Sequence, residues 1–262
     1  MNQGEQYSFS PLDSYQWIKK EAFAYIKAQQ WIEEALFEDF LNAFEDYFKH
    51  SLQKASHLIK NELDEGNVQF AVLVVALYEA FVKIGKDAKE AFKYVCLAIN
   101  EPIAPFMEQN TEAFLTASER PFKAIVEISK AREAFYFGKS FGFERLIDND
   151  YGYVLQIKKC LFHEVLRALE HTFLQRIICQ VDCGWIKGIK TALHNLHFAR
   201  PTTFATGNTC QMWFIKEEKN RRYTMTLNLD FLSQYFTEVH FDKDALITRA
   251  GEVEHSLYYL SE

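Results

Sequence analysis

Between Val68 and Val82 the chain is apolar, interrupted only by Gln69, Tyr78 and Glu79. A run of that kind has two homes, the hydrocarbon of a membrane or the centre of a protein core. A membrane span needs about 20 such residues, and this run stops short, at Gly85 and Asp87. It therefore reads as a buried helix over 68–84. Gly85 is the left-handed stop, and Asp87 is the N-cap of a further helix over 88–100. A helix apolar on every face has to be wrapped by other elements, and the flanking sequence supplies them.

From residue 12 to about residue 63, Trp17, Phe23, Ile26, Trp31, Ile32, Leu36, Phe40, Phe44 and Phe48 recur mostly at three- and four-residue intervals. That spacing predicts two long amphipathic helices, whose aromatics are core rather than a cofactor site. The cluster Asp64-Glu65-Gly66-Asn67 reads as a stop before the buried helix. Pro102 and Pro105 break the fourth helix, and helical pattern resumes over 105–114 and 121–135.

After Gly138 the texture changes. Gly142, the Asp148-Asn149-Asp150 turn and Gly152 punctuate segments of alternating or β-branched character. Strands are expected at 141–146, 153–159, 197–203, 211–217 and 223–228, with helices at 161–174 and 182–193. A hairpin turn at Glu218-Lys219-Asn220 joins the last two strands, and a final helix and strand follow Asp230. The predicted class is α+β, a helical N-terminal half followed by an antiparallel sheet with packed helices. The composition shift near 138 separates a mainly helical region, 1–138, from an α+β region, 139–262, and the two are either separate or parts of one compact unit.

Composition narrows the function classes. With 48% hydrophobic residues, 24 Phe and 13 Tyr, the chain can build its core without disulfides or a structural metal. Five cysteines, an odd number, read as free thiols of a reducing compartment. The polar N-terminus lacks a secretory pattern, so a cytoplasmic location is expected. The net charge is −7 and no Lys/Arg run tracks a phosphate backbone, so neither nucleic acid nor membrane is an expected partner. A small-molecule substrate is expected, and a homo-oligomer is compatible with the sequence. No glycine-rich nucleotide loop and no GxSxG is present, and no cofactor is expected. Cys179-x3-Cys183 has no second pair, so no metal site is expected either.

Cys160, Cys179, Cys183 and Cys210 fall at the ends of predicted elements, where side chains can converge on one pocket. Each alone is equally well a small buried hydrophobe. Cys160 precedes a helix that carries His163, and a helix N-terminus or a nearby base is what activates a thiol. The other histidines of this half, His171, His194 and His197, read mostly as solvated surface. Asp182 reads either as an N-cap for the amides near Trp185 or as a site carboxylate. Gly207 is a turn residue or a point of close backbone approach to an anion, and Arg200 is a carboxylate clamp or an exposed ion pair.

Cys160-Leu-Phe-His-Glu164, then Cys179-Gln-Val-Asp182, then Arg200-x2-Thr203-x3-Gly207-x2-Cys210 resembles the residue order of the L-2-amino-thiazoline-4-carboxylic acid hydrolase family, over roughly residues 70 to 217. The Gly85-Lys-Asp-Ala88 junction fits as well. The strand after Cys210 reads Gln-Met-Trp-Phe where that family favours an acidic residue and Phe, and Cys183 is additional. The resemblance implies hydrolytic opening of a thiazoline at its amidine-like carbon, giving an S-carbamoyl amino acid. In that role Cys160, Cys179 or Cys210 is the nucleophile and Asp182 holds the amidine or activates water. His163, Glu164, Arg200, Thr203 and Gly207 contact the substrate. The cysteine and glycine pattern is also distantly similar to 4-vinyl reductase domains, which implies a competing role as a non-catalytic binder of an apolar or tetrapyrrole-like ligand.

Overall fold

The computed structural model of the chain describes residues 10–217. The strand expected at 223–228, the turn at 218–220 and the elements after Asp230 lie outside the described residues. Six helices come first: α1 (Pro11–Gln29), α2 (Glu34–Ala55), α3 (Glu62–Lys83), α4 (Ala88–Asn100), α5 (Ala104–Ala117) and α6 (Pro121–Arg132). A π-helical turn, Glu133–Phe137, continues α6. Then come β1 (Gly142–Asp148), β2 (Gly152–Lys159), α7 (Leu161–Ala168), α8 (Gln175–Gln180), α9 (Asp182–Lys187), α10 (Thr191–His194), β3 (Leu196–Ala199) and β4 (Cys210–Lys216). The expected class, α+β with a helical first half and an antiparallel sheet after it, is the class observed.

The apolar run is the axis of the helical part. Phe70 to Tyr78 are buried without interruption in α3, and α1, α2, α4 and α7 pack around it. Gly85 adopts φ +92°, and the Lys86 amide donates back to the Phe81 carbonyl at 3.0 Å, which closes the helix with a left-handed cap. Asp87 caps α4 by accepting from the Lys89 and Glu90 amides.

The expected stop at Asp64-Glu65-Gly66-Asn67 is instead the first turns of α3, which Asn61 caps through the Leu63 and Asp64 amides. These polar residues are there for tertiary contacts. A Cβ at Gly66 would lie 2.2 Å from Leu12 N, so only glycine lets α3 meet the start of α1. Asn67 Nδ2 donates to the carbonyls of Leu63 and Tyr136, which ties α3 to the π-helical turn. Asp64 Oδ2 accepts from Ser140 Oγ at 2.6 Å.

The four strands form one antiparallel sheet in the order β1-β2-β4-β3. The helix expected over 161–174 ends at Ala168, because Glu170 takes φ +63°, and His163 and His171 therefore do not share a helix. The helix expected over 182–193 is likewise two short ones, α9 and α10. Gly188 separates them where a Cβ would meet Glu108 O at 2.5 Å.

Two hydrophobic clusters result. The larger joins α1–α4 to Phe141, Cys160 and the apolar faces of α7 and α8. The smaller packs Leu115, Phe122, Ile125 and Val126 of α5 and α6 against Tyr153, Leu155, Leu196 and Phe214 of the sheet. α3 is long and apolar enough to cross a membrane by length and composition, and most of it is buried within this fold.

Candidate active site

The seam between the two clusters contains a cavity of about 100 Å³. Topology explains why it lies at this end of the sheet. In the β2–β4 register Ile157 stands opposite Cys210, and Cys160 follows the end of β2 at the N-cap position of α7. Cys160 and Cys210 are thereby carried to the same sheet end, although fifty positions separate them. α8 and the first turn of α9 then bring up Cys179 and Asp182, and the segment after β3 returns Arg200. All five of these side chains line the cavity, together with Gln175, Arg132 and Tyr136. Phe70, Phe137, Phe141, Phe143, Phe162 and Phe204 form its aromatic wall.

The polar side is organised by Arg200. Its Nη2 lies 2.9 Å from Asp182 Oδ2, and its Nη1 donates to the Cys179 carbonyl at 2.7 Å. Asp182 Oδ1 accepts from the Trp185 indole Nε1 at 2.9 Å. Asp182 is therefore not the N-cap of α9, a position that Val181 holds; its carboxylate accepts from two side-chain donors instead. Burial works against the Arg200 charge, but Asp182, Cys210 and Cys179 together outweigh it and raise the guanidinium pKa.

The thiols differ in their surroundings. Burial pushes Cys160 up to about 12, against the opposing pull of the His163 backbone N–H. Burial also pushes Cys210 up to about 11, although the Arg200 charge and hydrogen bond draw it down. Cys179 is only half-buried, and its sulfur accepts from Gln175 Nε2 at 3.2 Å. Cys183 is exposed. Cys96 lies apart from the cavity, against Gln180.

The remaining sequence candidates do not line the cavity. His163 is one step behind it, its ring 5.3 Å from that of Phe204, and its buried Nδ1 has no hydrogen-bond partner among the described residues. Glu164 pairs with Arg167 one turn along α7. Thr203 closes a local turn with Thr206. Gly207 is exposed, and a side chain added there would meet only open space. His194 is not a surface residue but 2% exposed, hydrogen bonded to Thr116 and the Lys190 amide. Among the described residues no group of three or more His, Cys, Asp or Glu side chains is arranged to hold a metal ion.

Sequence reasoning missed Arg132, Tyr136 and Gln175. Arg132 immediately precedes the π-helical turn and Tyr136 lies within it; the turn widens the helix by one residue and re-aims the side chains around it. Glu133 locks that turn. It is buried, accepts from Arg145 Nε and Nη2 at 3.1 and 2.9 Å, and accepts from the Tyr153 hydroxyl. An ordinary helical pattern carries no mark of that extra residue. Gln175 begins α8, which falls between the helices expected over 161–174 and 182–193.

The family model of L-2-amino-thiazoline-4-carboxylic acid hydrolase matches residues 66–214, a span that contains every cavity residue named above. No curated protein and no solved structure matches the chain.

Proposed function

Because the chain belongs to the L-2-amino-thiazoline-4-carboxylic acid hydrolase family, we propose that this cavity is the active site of a cysteine-dependent hydrolase. Its substrate is a small amino-acid-like compound bearing a thiazoline, amidine or related heterocycle. The observation that carries the reading is the convergence of Cys160, Cys179, Cys210, Asp182 and Arg200 on one cavity. Dispersed structural thiols have no reason to do this.

On a 2-amino-thiazoline-4-carboxylate, a thiol adds through sulfur to the amidine-like ring carbon and gives up its proton. The bond from that carbon to the ring nitrogen breaks as the exocyclic amino group forms a C=N bond and passes on one proton. The nitrogen leaves as a primary amine with that proton and the thiol's, and the carbon remains as an imine joined to both sulfurs. Water then adds to the same carbon, the enzyme sulfur departs, and it regains a proton from the water. One water is consumed and an S-carbamoyl amino acid is released.

Cys179 is the thiol we assign to the attack, because it is the least buried of the three and Gln175 positions its sulfur. Cys160 and Cys210, raised to about 12 and 11, remain S–H donors at neutral pH. Asp182, held by Arg200 and Trp185, faces the developing charge on the amidine nitrogens and accepts the proton of the attacking water. Hydrolysis of L-2-amino-thiazoline-4-carboxylate by Cys160→Ala, Cys179→Ala and Cys210→Ala variants tests the assignment. Cys179→Ala is expected to lose activity by about a thousand-fold or more, and the other two by less.

The aromatic wall supports a second reading, a non-catalytic site for an apolar or tetrapyrrole-like ligand. A coloured, ligand-bound preparation that hydrolyses no thiazoline would favour it over the hydrolase.

A further inference from the structure

Resting on the reading of this cavity as the substrate site, we infer that Arg132, and not Arg200, receives the substrate carboxylate. Arg200 has the more obvious claim, since it is the buried guanidinium among the thiols. Its two terminal nitrogens are nevertheless already engaged, one with Asp182 and the other with the Cys179 carbonyl, and its side chain is only 13% exposed. Turning it toward a ligand would strand the Asp182 carboxylate in a half-buried site and release the backbone that carries Cys179, which costs more than a single new ion pair returns.

Arg132 is in the opposite situation. It lines the same cavity and is half-buried. Its guanidinium lies 4.7 Å from the Tyr136 ring centroid and 5.5 Å from that of Phe137. Both rings also belong to the cavity wall. The acid next to it in sequence, Glu133, is turned inward and satisfied by Arg145 and Tyr153, and among the described residues no carboxylate lies within ion-pair distance of Arg132. A guanidinium with its face on aromatic rings keeps its N–H edge available, and that edge matches a carboxylate in a two-pronged hydrogen bond.

Charge balance points the same way. Of the lining groups that carry full charge, Asp182 and Arg200 cancel, and Arg132 leaves the cavity one positive charge in excess. The complementary ligand carries one carboxylate. Its ring then rests against the phenylalanines, with the reactive carbon toward the thiols.

The test compares five-membered-ring L-amino-acid analogues, namely L-2-amino-thiazoline-4-carboxylate, L-thiazolidine-4-carboxylate and L-proline, each beside its carboxamide. Binding to the full chain is measured by titration calorimetry, and turnover of the thiazoline is followed in parallel. In the wild type the carboxylates are expected to bind roughly ten- to hundred-fold tighter than the carboxamides. Arg132→Gln erases that preference, and Arg132→Lys keeps part of it. Retention of the preference in Arg132→Gln, or its absence from the wild type for every analogue, overturns the inference. If the preference exists and Arg132→Gln removes it while no thiazoline is hydrolysed, the assignment of Arg132 stands and the hydrolase reading falls. If Arg132→Gln hydrolyses the thiazoline with unchanged KM and binding, the hydrolase reading stands and the assignment of Arg132 falls.

Discussion

Arg200 Nη2 lies 2.9 Å from Asp182 Oδ2, with the arginine side chain 13% and the aspartate 26% exposed. The pair joins the segment after β3 to the first turn of α9, and it fixes one wall of the cavity from two parts of the chain that have no local reason to meet. Removing one member leaves a poorly solvated charge behind. Arg200→Gln is expected to destabilise the fold by about 2–3 kcal/mol, toward the low end for a buried pair because Asp182 keeps some solvent. Urea unfolding of Arg200→Gln, Asp182→Asn and the double variant checks this. A double variant as unstable as the sum of the singles would show that the two residues are not coupled.

The buried thiols predict an alkaline limb. Cys160 and Cys210 are raised from 9.0 to about 12 and about 11. Above about pH 9 the unfolded chain therefore releases protons that the folded chain retains. The stability that these neutral thiols contribute is fully present below that pH and is lost as pH rises toward 11 and 12, by at most about 1.4 kcal/mol per pH unit per thiol. Cys160→Ala should flatten the fall in Tm between pH 9 and 11. In the same range, peptide mass spectrometry after mild alkylation should show exposed Cys183 labelled well before Cys160 and Cys210.

His194 predicts the acid limb. Burial lowers its pKa, Lys190 adds to the lowering, and Glu112 opposes it. Its Nδ1 accepts from the Lys190 amide at 3.1 Å, so the neutral ring carries its proton on Nε2, beside Thr116. Below about pH 6.5 the unfolded imidazole binds a proton that the folded one resists, so this contribution is present above that pH and declines as pH falls. His194→Gln should lower Tm at pH 7.5 but show a shallower loss between pH 6.5 and 5. A slope equal to that of the wild type would exclude His194 as its source.

At Gly66 the obstruction is backbone. An added Cβ would sit 2.2 Å from Leu12 N and 2.2 Å from Pro11 C. Neither atom belongs to a flexible side chain, so α1 would have to move as a unit. Gly66→Ala should therefore cost about 3 kcal/mol, despite the better helix propensity of alanine. A denaturation midpoint at or above that of the wild type would show that α1 does not pack as described.

Glu133 is the anchor of the π-helical turn. Tyr153→Phe removes one donor to a buried carboxylate that keeps Arg145, and should cost about 1–2 kcal/mol. Glu133→Ala leaves both the Tyr153 hydroxyl and Arg145 without their acceptor and should cost more. It should also weaken ligand binding at the cavity, because the turn it holds carries Arg132 and Tyr136. Guanidinium unfolding together with calorimetric titration separates the two effects.

Much of this was fixed by local physics and could be read directly. The apolar run of α3 had to be buried, Asp87 had to cap α4, Gly85 had to end α3, and the alternation around Tyr153 and Phe214 had to make strands, because each depends on residues within a turn or two of itself. Three thiols, Asp182 and Arg200 were also recognisable as candidates from residue type and order. Local pattern failed where a side chain had a distant partner. Gly66 and Asn67 looked like a stop because nothing nearby shows that Pro11, Leu12 and Tyr136 press against them. Asp182 read equally well as a cap or a site carboxylate because Arg200 is eighteen positions away. Arg132 went unnoticed because its role depends on one extra residue in a helix and on a neighbouring acid that turns inward to Arg145 and Tyr153. Side-chain chemistry belongs to the sequence, but which groups are paired and which stay free is settled by burial, since only the folded chain decides which charges lose water and must find each other.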